Sequence, residues 1–277
     1  MVALILMVPP QIILMHLPRW RFVLPQLFFR LILVLLSVRV SVTGPLPESG
    51  KKTGTLLVAN HISWFDVALI GAIMPVSFMA KSEVKKWPFF GQLAWLNNSL
   101  FITRRIGRHT LQEGRALAAR LARGDMVLLF AEGTSSDGIR VLPFKSSFLS
   151  VLEDNRAIRA QAMTLAYTRR HDMALGRRQR MAYGWFGDMT LMPHFLYIFA
   201  GAPLTVEVLF HEALPRDSRQ NRKAMARALH AQVSEGLQAI MRGRPHPVAA
   251  PDGEHSCLLY TSPSPRDYAA SRMPSSA

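Results

Sequence analysis

A histidine and an aspartate, His61 and Asp66, lie five positions apart where a predicted strand passes into a predicted helix. Imidazole ionises near neutral pH, so His61 is suited to removing a proton from a hydroxyl group. If His61 lies in the turn before the helix and Asp66 in its first or second turn, the carboxylate reaches the ring and fixes its tautomer. The pair predicts general-base chemistry. Because the spacing is common by chance, a His61 satisfied within the core beside a solvent-facing Asp66 is the alternative.

Two further predicted strands end in polar side chains, and a later segment adds another cation. A short strand ends in Phe101-Ile102-Thr103-Arg104, a buried strand leads into Glu132, Gly133 and Thr134, and Lys145 follows an apolar pair. Ligands of open α/β sheets bind outside the carboxyl ends of the strands. These segments and the His/Asp pair are therefore expected to converge on one polar site in an apolar scaffold, as in an active site.

Short apolar runs alternate with helical patterns from position 38 onward. Strands are predicted over residues 38–43, 55–59, 75–80, 100–103, 126–131, 160–168 and 204–210, and helices over 108–124 and 217–241. The strand 126–131 is apolar throughout, which is typical of a sheet covered on both faces. The pattern predicts a single α/β domain over residues 38–242, with a mostly parallel or mixed sheet flanked by helices.

Residues 1–37 are predicted to form a membrane-associated helical segment. Two apolar runs flank the cluster Arg19-Trp20-Arg21, and neither run is a clean span of about 20 apolar residues. A kinked membrane helix, or two helices lying in the interface with Arg and Trp at headgroup level, fits this pattern. A buried pair of core helices is the alternative.

The chain has 277 residues and a formal net charge of +15; 49% of its residues are hydrophobic and 18% are charged. These values exclude a disordered chain and favour an anionic partner. A mean hydropathy of +0.15 fits a protein at a membrane surface better than a nucleic-acid-binding protein. The basic runs at 169–170 and 177–180 lack a nucleic-acid motif, so attraction to anionic lipid headgroups is expected. Dinucleotide, P-loop, zinc-protease and serine-hydrolase fingerprints are missing, and no metal site is expected.

The C-terminal part is predicted to lie outside the folded domain. Residues 243–256 contain several Pro and Arg residues and are interpreted as a linker or tail. Residues 257–277 show no periodicity and resemble a translated sequencing adapter, so they are interpreted as a non-native tail. The single cysteine, Cys257, lies in this stretch, so neither a disulfide framework nor a thiolate metal cage is expected.

Taken in order, these segments resemble the glycerolipid acyltransferases over about residues 38–242. The family's His-x4-Asp motif matches His61 and Asp66, its Phe–Arg motif matches Phe101 and Arg104, and its Glu-Gly-Thr motif matches Glu132, Gly133 and Thr134. A fourth motif, an apolar strand with proline, matches residues 160–167 loosely. The chain departs from the family pattern at Asn98 (usually glycine), Ser135 (usually arginine) and Ala162 (usually proline). These departures leave the His/Asp pair intact and bear on acceptor specificity.

The resemblance implies an enzyme that moves a fatty acyl group from a thioester donor, acyl-CoA or acyl-carrier protein, to the free hydroxyl of a lysolipid. His61 is expected to be the general base, Asp66 to orient it, and Arg104 to hold the acceptor's phosphate. The other residues expected to bind substrate are Phe101, Gly133, Thr134 and Lys145, with Glu132 ordering their loop. The thioester is already activated, so neither a nucleophilic side chain nor a cofactor is expected.

Lysophosphatidic acid, converted to phosphatidic acid in phospholipid biosynthesis, is the acceptor that the resemblance favours. Segments 80–84 and 187–189 also resemble the lyso-ornithine-lipid acyltransferase branch, so O-acylation of lyso-ornithine lipid is the alternative. The expected location is the inner membrane with the active site on its cytoplasmic face, against an anionic surface and without nucleic acid. A non-enzymatic basic protein of a membrane surface or of nucleic acid is the distant alternative. The sequence leaves the oligomeric state open.

Overall fold

The computed structural model describes residues 2–48, 54–87, 89–103, 108–155, 157–201, 203–219 and 221–243. Gly243 is therefore the last described residue. The rest of the predicted linker, 243–256, and the whole predicted tail, 257–277, lie outside the described residues.

An eight-stranded mixed sheet forms the centre of the described protein. The strands are β1 (Val38–Thr43), β2 (Thr55–Ala59), β3 (Ser77–Lys81), β4 (Leu100–Ile102), β5 (Met126–Phe130), β6 (Arg159–Arg170), β7 (Met173–Ala174) and β8 (Leu204–Ala213). They lie in the order β1-β8-β6-β2-β5-β3-β4, with β7 paired to β6. Both β7 and β8 run antiparallel to β6, and the other neighbours are parallel. The predicted α/β domain with a mixed sheet is confirmed.

Helices cover both faces of this sheet. They are α1 (Val2–Leu14), α2 (Val23–Leu35), α3 (Asp66–Ile73), α4 (Phe90–Leu96), α5 (Arg108–Ala122), α6 (Val151–Asp154), α7 (Arg177–Tyr183), α8 (Leu191–Ala200) and α9 (Arg222–Met241). Short 3₁₀ turns cover Ser82–Lys86, Ser147–Ser150 and Arg216–Ser218. On one face of the sheet α2 and α3 pack with Phe28, Phe29 and Leu69. On the other, α5 and α9 pack with Leu117, Leu121, Met225, Leu229 and Val233.

The start of α9 differs from the prediction. The helix was expected from position 217, but residues Arg216–Ser218 form a 3₁₀ turn and the α-helix begins at Arg222. Asn221 sets this boundary, because its side-chain oxygen accepts a hydrogen bond from the backbone N–H of Ala224 at 2.8 Å. That bond satisfies one of the free amides in the first helical turn.

The N-terminal segment forms two helices of 13 residues each, and one face of α2 belongs to the core. Phe29 and Leu33 are buried there, and Gly71 of α3 makes room for them, since a Cβ at Gly71 would lie 2.5 Å from the Phe29 ring. The other face of α2 exposes Leu27 and Leu35. The alternative of a buried pair of core helices therefore holds for only one face of α2. Among the described helices, none combines the length and the apolar character needed to cross a bilayer.

Arg21, from the cluster predicted to lie at headgroup level, forms an ion pair with the folded domain. Its guanidinium pairs with Asp125, which is 6% exposed, and the Asp125 carboxylate also accepts from Arg120 Nε at 2.5 Å. Asp125 lies 104 positions further along the chain, so the sequence around Arg21 does not predict this ion pair. Trp20, which is 56% exposed, and Arg19 are the members of the cluster that face outward.

Candidate active site

The end of β2 and the start of α3 bring His61 and Asp66 together. The chain leaves β2 at Ala59, turns through His61 and enters α3 at Asp66. His61 Nδ1 lies 2.8 Å from Asp66 Oδ2. Because a carboxylate oxygen accepts, Nδ1 carries the proton and Nε2 is the ring nitrogen left to receive another. The imidazole is 20% exposed and the carboxylate fully buried.

The buried carboxylate of Asp66 is held by three donors besides His61. The backbone N–H groups of Ile62 and Ser63 donate to Oδ2 at 2.7 and 2.9 Å, and the Tyr167 hydroxyl donates to Oδ1 at 2.8 Å. Burial and the Asp66 charge raise the pKa of Tyr167 well above its ordinary value, so the phenol keeps the proton that it donates. This complete set of hydrogen bonds compensates the cost of burying the charge.

Residues from the end of β5 hold the backbone of His61. Glu132 Oε1 accepts from the His61 N–H at 3.0 Å, and the N–H and Oγ of Ser136 donate to the His61 carbonyl at 2.8 and 3.0 Å. The Phe130 ring stacks on the imidazole with centroids 4.0 Å apart. The Glu-Gly-Thr segment therefore orders the loop that carries His61.

Glu132 is 2% exposed, and burial raises its pKa to about 8 from an ordinary value of 4.5. Hydrogen bonds from the backbone amides of His61 and Leu142 oppose this shift, and the Asp66 charge adds to it. Because the pKa is higher in the folded protein than in the unfolded chain, protonation of Glu132 favours folding. This contribution is complete below about pH 4.5 and is lost as the pH rises through about 8.

Replacing Glu132 by glutamine is expected to remove a pH dependence of stability. In the wild type, as the pH rises from 5 to 8, ionisation of the Glu132 carboxyl group lowers the free energy of unfolding by about 1.4 kcal/mol per pH unit. The amide oxygen of Glu132→Gln still accepts from the His61 N–H, and the amide does not ionise. The variant should gain stability relative to wild type as the pH rises, measured by urea unfolding at several pH values.

The control for this prediction is Glu235→Gln, at an exposed position of α9. It should follow the wild-type pH dependence. If Glu132→Gln and wild type lose stability in parallel with rising pH, the raised pKa of Glu132 is contradicted.

Gly133 and Lys145 form the next part of the site. Gly133 has a φ of +69°, a backbone conformation that favours glycine, and a Cβ there would lie 2.8 Å from Lys145 Nζ. The Gly133 N–H donates to the Phe130 carbonyl at 3.0 Å. The turn therefore uses this amide, and a contact of Gly133 with substrate stays a prediction. Gly133, Thr134 and the exposed Lys145 all line the cavity beside His61.

A cavity of about 590 Å³ opens beside His61. Apolar side chains dominate its lining, among them Phe29, Ile32, Phe65, Phe78, Leu93 and Phe195. Charged side chains of both signs also line it: Lys81, Glu83 and Lys145. The volume lies in the usual range for small-molecule sites, and apolar walls with few polar groups suit a ligand that has an alkyl chain and a polar head.

Trp64, inside the His-x4-Asp motif, forms part of the cavity wall, and α8 holds it in place. Its indole Nε1–H donates to His194 Nδ1 at 3.0 Å, and the Phe195 ring stacks on the indole at 5.3 Å. Burial lowers the pKa of His194, which keeps the ring neutral and Nδ1 able to accept. The loop that carries His61 and the helix α8 are thereby fixed to each other.

The Phe–Arg motif is only partly placed. Arg104 lies outside the described residues. Phe101 is not among the described side chains that line the cavity, although Ile102 and Thr103 are. The Phe101 ring packs instead against Lys85, whose Nζ lies 4.7 Å from the ring centroid. This is a cation–π contact, and the predicted contact between Phe101 and substrate stays a prediction.

Several residues of the site were missed by sequence reasoning. Tyr167 ends the loosely matching segment 160–167 and Phe130 lies in the predicted strand 126–131, but the pattern assigns neither to the site. Lys81, which the pattern also does not assign to the site, lines the cavity. The sequence contained one signal for Tyr167: it is a tyrosine near the end of a strand whose other side chains are mostly small or apolar. A buried tyrosine hydroxyl needs a hydrogen-bond partner.

The fold and this site together are those of an acyltransferase, and the chain belongs to the acyltransferase family. The family's sequence profile matches residues 38–163, which include His61, Asp66, Glu132 and Lys145. The predicted family and enzyme class are confirmed.

Among its relatives, the lyso-ornithine lipid O-acyltransferase of Brucella abortus is 40% identical over 259 residues, which cover 90% of this chain and 95% of the relative. The enzyme of the same name from Rhizobium meliloti is 37% identical and covers 93% and 89%. The 1-acyl-sn-glycerol-3-phosphate acyltransferase of Neisseria meningitidis is 31% identical and covers 76% and 77%. In fold, the chain is similar to the crystal structure of the 1-acyl-sn-glycerophosphate acyltransferase of Thermotoga maritima, with a TM-score of 0.57, 20% identity and 82% of each chain covered.

Proposed function

We propose that this acyltransferase moves a fatty acyl group from a thioester donor to the free hydroxyl of lyso-ornithine lipid. The observation that carries acyl transfer to a lysolipid is the His61–Asp66 pair beside a largely apolar cavity of about 590 Å³. A donor with a long alkyl chain fits such walls, and a hydroxyl needs a base to attack its carbonyl.

In the proposed reaction, His61 Nε2 takes the proton of the acceptor hydroxyl as its oxygen attacks the thioester carbonyl. Asp66 keeps the proton on Nδ1 and stabilises the imidazolium that forms. The tetrahedral intermediate then collapses, the carbon–sulfur bond breaks, and the leaving thiolate receives the proton from Nε2. An ester and a free thiol result, and His61 returns to its starting state. Holding both lipid reactants in the same cavity removes much of the entropic cost of their encounter.

We choose lyso-ornithine lipid as the acceptor, whereas the resemblance in sequence favoured lysophosphatidic acid. Relatives named for lyso-ornithine lipid are 40% and 37% identical over nearly the whole chain, whereas the relative named for 1-acyl-sn-glycerol-3-phosphate is 31% identical over three quarters of it. Ser135, at the position of the family's usual arginine, lines the cavity and donates to the Trp185 carbonyl. This position thus supplies no cation to a phosphate.

The charges around the cavity agree with a zwitterionic headgroup. N-acylated ornithine carries one carboxylate and one ammonium group. Among the residues that line the cavity, Lys81 and Lys145 suit the carboxylate and Glu83 suits the ammonium group. A phosphate monoester would meet repulsion from Glu83. We assign to Arg104 the role of a further anion-binding residue for the acceptor, so Arg104→Ala should raise the KM for either acceptor.

The donor and the location complete the proposal. Acyl-CoA or acyl-carrier protein supplies the thioester as a co-substrate, and the net charge of +15 suits both of these acidic donors. The enzyme works at the cytoplasmic face of the inner membrane, with the exposed side of α2 turned to lipid. Leu27, Leu31, Val34 and Leu35 form that side, and each is more than 40% exposed.

An assay of the full chain with lyso-ornithine lipid and lysophosphatidic acid side by side tests the acceptor. With one thioester donor, kcat/KM should be about tenfold or more higher for lyso-ornithine lipid. Glu83→Gln should lower kcat/KM for that acceptor selectively, whereas Glu235→Gln on the exposed side of α9 should not. If lysophosphatidic acid is acylated faster, the acceptor is the phosphorylated lysolipid and not lyso-ornithine lipid. If neither lipid is acylated, acyl transfer to these lysolipids is refuted.

A further inference from the structure

The helix α8 has two apolar sides. One side is buried, with His194 4% and Ile198 3% exposed. On the other, Met192, Leu196 and Phe199 are 66%, 61% and 41% exposed. Their spacing of four and three residues places these three side chains, the α8 stripe, on one line along the helix. The stripe is a continuous apolar surface outside the N-terminal segment for which membrane contact was predicted.

The α8 stripe borders the cavity. Phe199, a member of the stripe, also lines the cavity, and its ring stacks on that of Phe195 with centroids 4.2 Å apart. Phe29 and Ile32 of α2 line the same cavity, and α2 exposes its own apolar face. The walls that enclose the cavity are therefore backed by two exposed apolar surfaces, one on α2 and one on α8.

Basic residues precede the stripe in the chain. Arg177 and Arg178 on α7 are exposed, and Arg180 is half-buried. Exposed cations beside an exposed apolar face are the composition of elements that lie in the interface of an anionic bilayer. At 10 residues, α8 is about 15 Å long, so it suits lying in an interface rather than crossing it.

We propose that the α8 stripe contacts the acyl region of an anionic bilayer, with the α7 arginines at its headgroups, and that lipid chains reach the cavity beside it. This inference rests on the proposed function, because only a substrate drawn from the bilayer needs such a route. Two apolar surfaces on different helices, both continuous with an acyl-sized cavity, favour lipid over a protein partner. A protein partner on either surface would block the entry of an alkyl chain.

A double variant at the stripe tests the proposal without touching the cavity. Met192→Ser with Leu196→Ser changes two exposed side chains, neither of which is among the described cavity-lining residues. The matched control is Met173→Ser with Leu46→Ser, which removes two equally exposed apolar side chains elsewhere, 70% and 66% exposed. The first readout is cosedimentation of the full chain with phosphatidylcholine–phosphatidylglycerol vesicles.

The stripe variant should bind these vesicles at least about tenfold more weakly than wild type, and the control should bind normally. Arg177→Gln with Arg178→Gln should weaken binding to the anionic vesicles but not to pure phosphatidylcholine vesicles. Equal binding by wild type and the stripe variant would overturn the proposal. So would a change in oligomeric state of the stripe variant, since the stripe would then be an interface between copies of the chain.

Activity separates this inference from the proposed function. With a short-chain acceptor dissolved as monomers, the stripe variant should keep the wild-type rate, and with acceptor embedded in vesicles its rate should fall. Equal losses in both assays would indicate a structural role of the stripe and refute lipid contact. If wild type acylates neither acceptor, the proposed function fails, while the vesicle-binding result still decides whether the stripe contacts lipid.

Discussion

Protein with His61 replaced by alanine is expected to lose nearly all acyl transfer. General-base catalysis contributes about 10²- to 10⁴-fold to a rate, and kcat should fall by a factor in that range. KM should change little, because the imidazole is assigned to proton transfer and not to holding either substrate. The measurement is the initial rate of acylated lysolipid formation at neutral pH with a saturating thioester donor.

The control for this prediction is another histidine. His171 lies in an exposed turn with a φ of +48°, which asparagine also tolerates, so His171→Asn should keep full activity. Unfolding curves of both variants exclude a general loss of structure. If His61→Ala retains more than a few per cent of the wild-type rate, His61 is not the base.

Replacing Asp66 by asparagine is expected to lower kcat by about 10³- to 10⁴-fold, although the side chain keeps its shape. The carboxylate accepts from His61, Ile62, Ser63 and Tyr167, whereas an amide presents one accepting oxygen and one donating nitrogen. At least one N–H or O–H must then face another donor. The imidazole loses the partner that keeps its proton on Nδ1, and Nε2 is no longer reliably unprotonated.

Tyr167→Phe is a milder change for comparison with Asp66→Asn, because the Asp66 carboxylate is kept. It removes the hydrogen bond from Tyr167 to Asp66 Oδ1 and leaves the contact between His61 Nδ1 and Oδ2 in place, so a loss of about tenfold in kcat is expected. Kinetics and urea unfolding of both variants separate orientation of the ring from stability. An Asp66→Asn enzyme that keeps about a tenth or more of the wild-type kcat would show that the carboxylate does not orient His61.

The part of the site that could be predicted from sequence is local. His61 and Asp66 are five positions apart, and a strand-to-helix turn is enough to bring them within 2.8 Å. The class of sheet could also be predicted, because β5 is apolar at every position and β2 at every position after Thr55, which is typical of strands covered on both faces. Both results depend on contacts within a short stretch of chain.

The contacts of the supporting residues could not be predicted, because their partners come from distant parts of the chain. Glu132 reaches the His61 backbone from 71 positions away, and Tyr167 reaches Asp66 from 101. Both are close because β2 lies between β5 and β6 in the sheet. Sequence periodicity identifies strands but not their order, so neither contact was available from the pattern. The same holds for His194, which accepts a hydrogen bond from Trp64 although the two residues lie 130 positions apart in the chain.

The ion pair between Arg21 and Asp125 has a practical consequence for producing this enzyme. Deleting the hydrophobic N-terminus is a common way to obtain a protein that needs no detergent. Here that deletion would leave Asp125 with only Arg120, and it would uncover the side of α3 on which Phe28, Phe29 and Leu33 pack. The first two helices are therefore part of the globular body. A shortened form would be expected to aggregate, whereas the intact chain in detergent or nanodiscs preserves the fold.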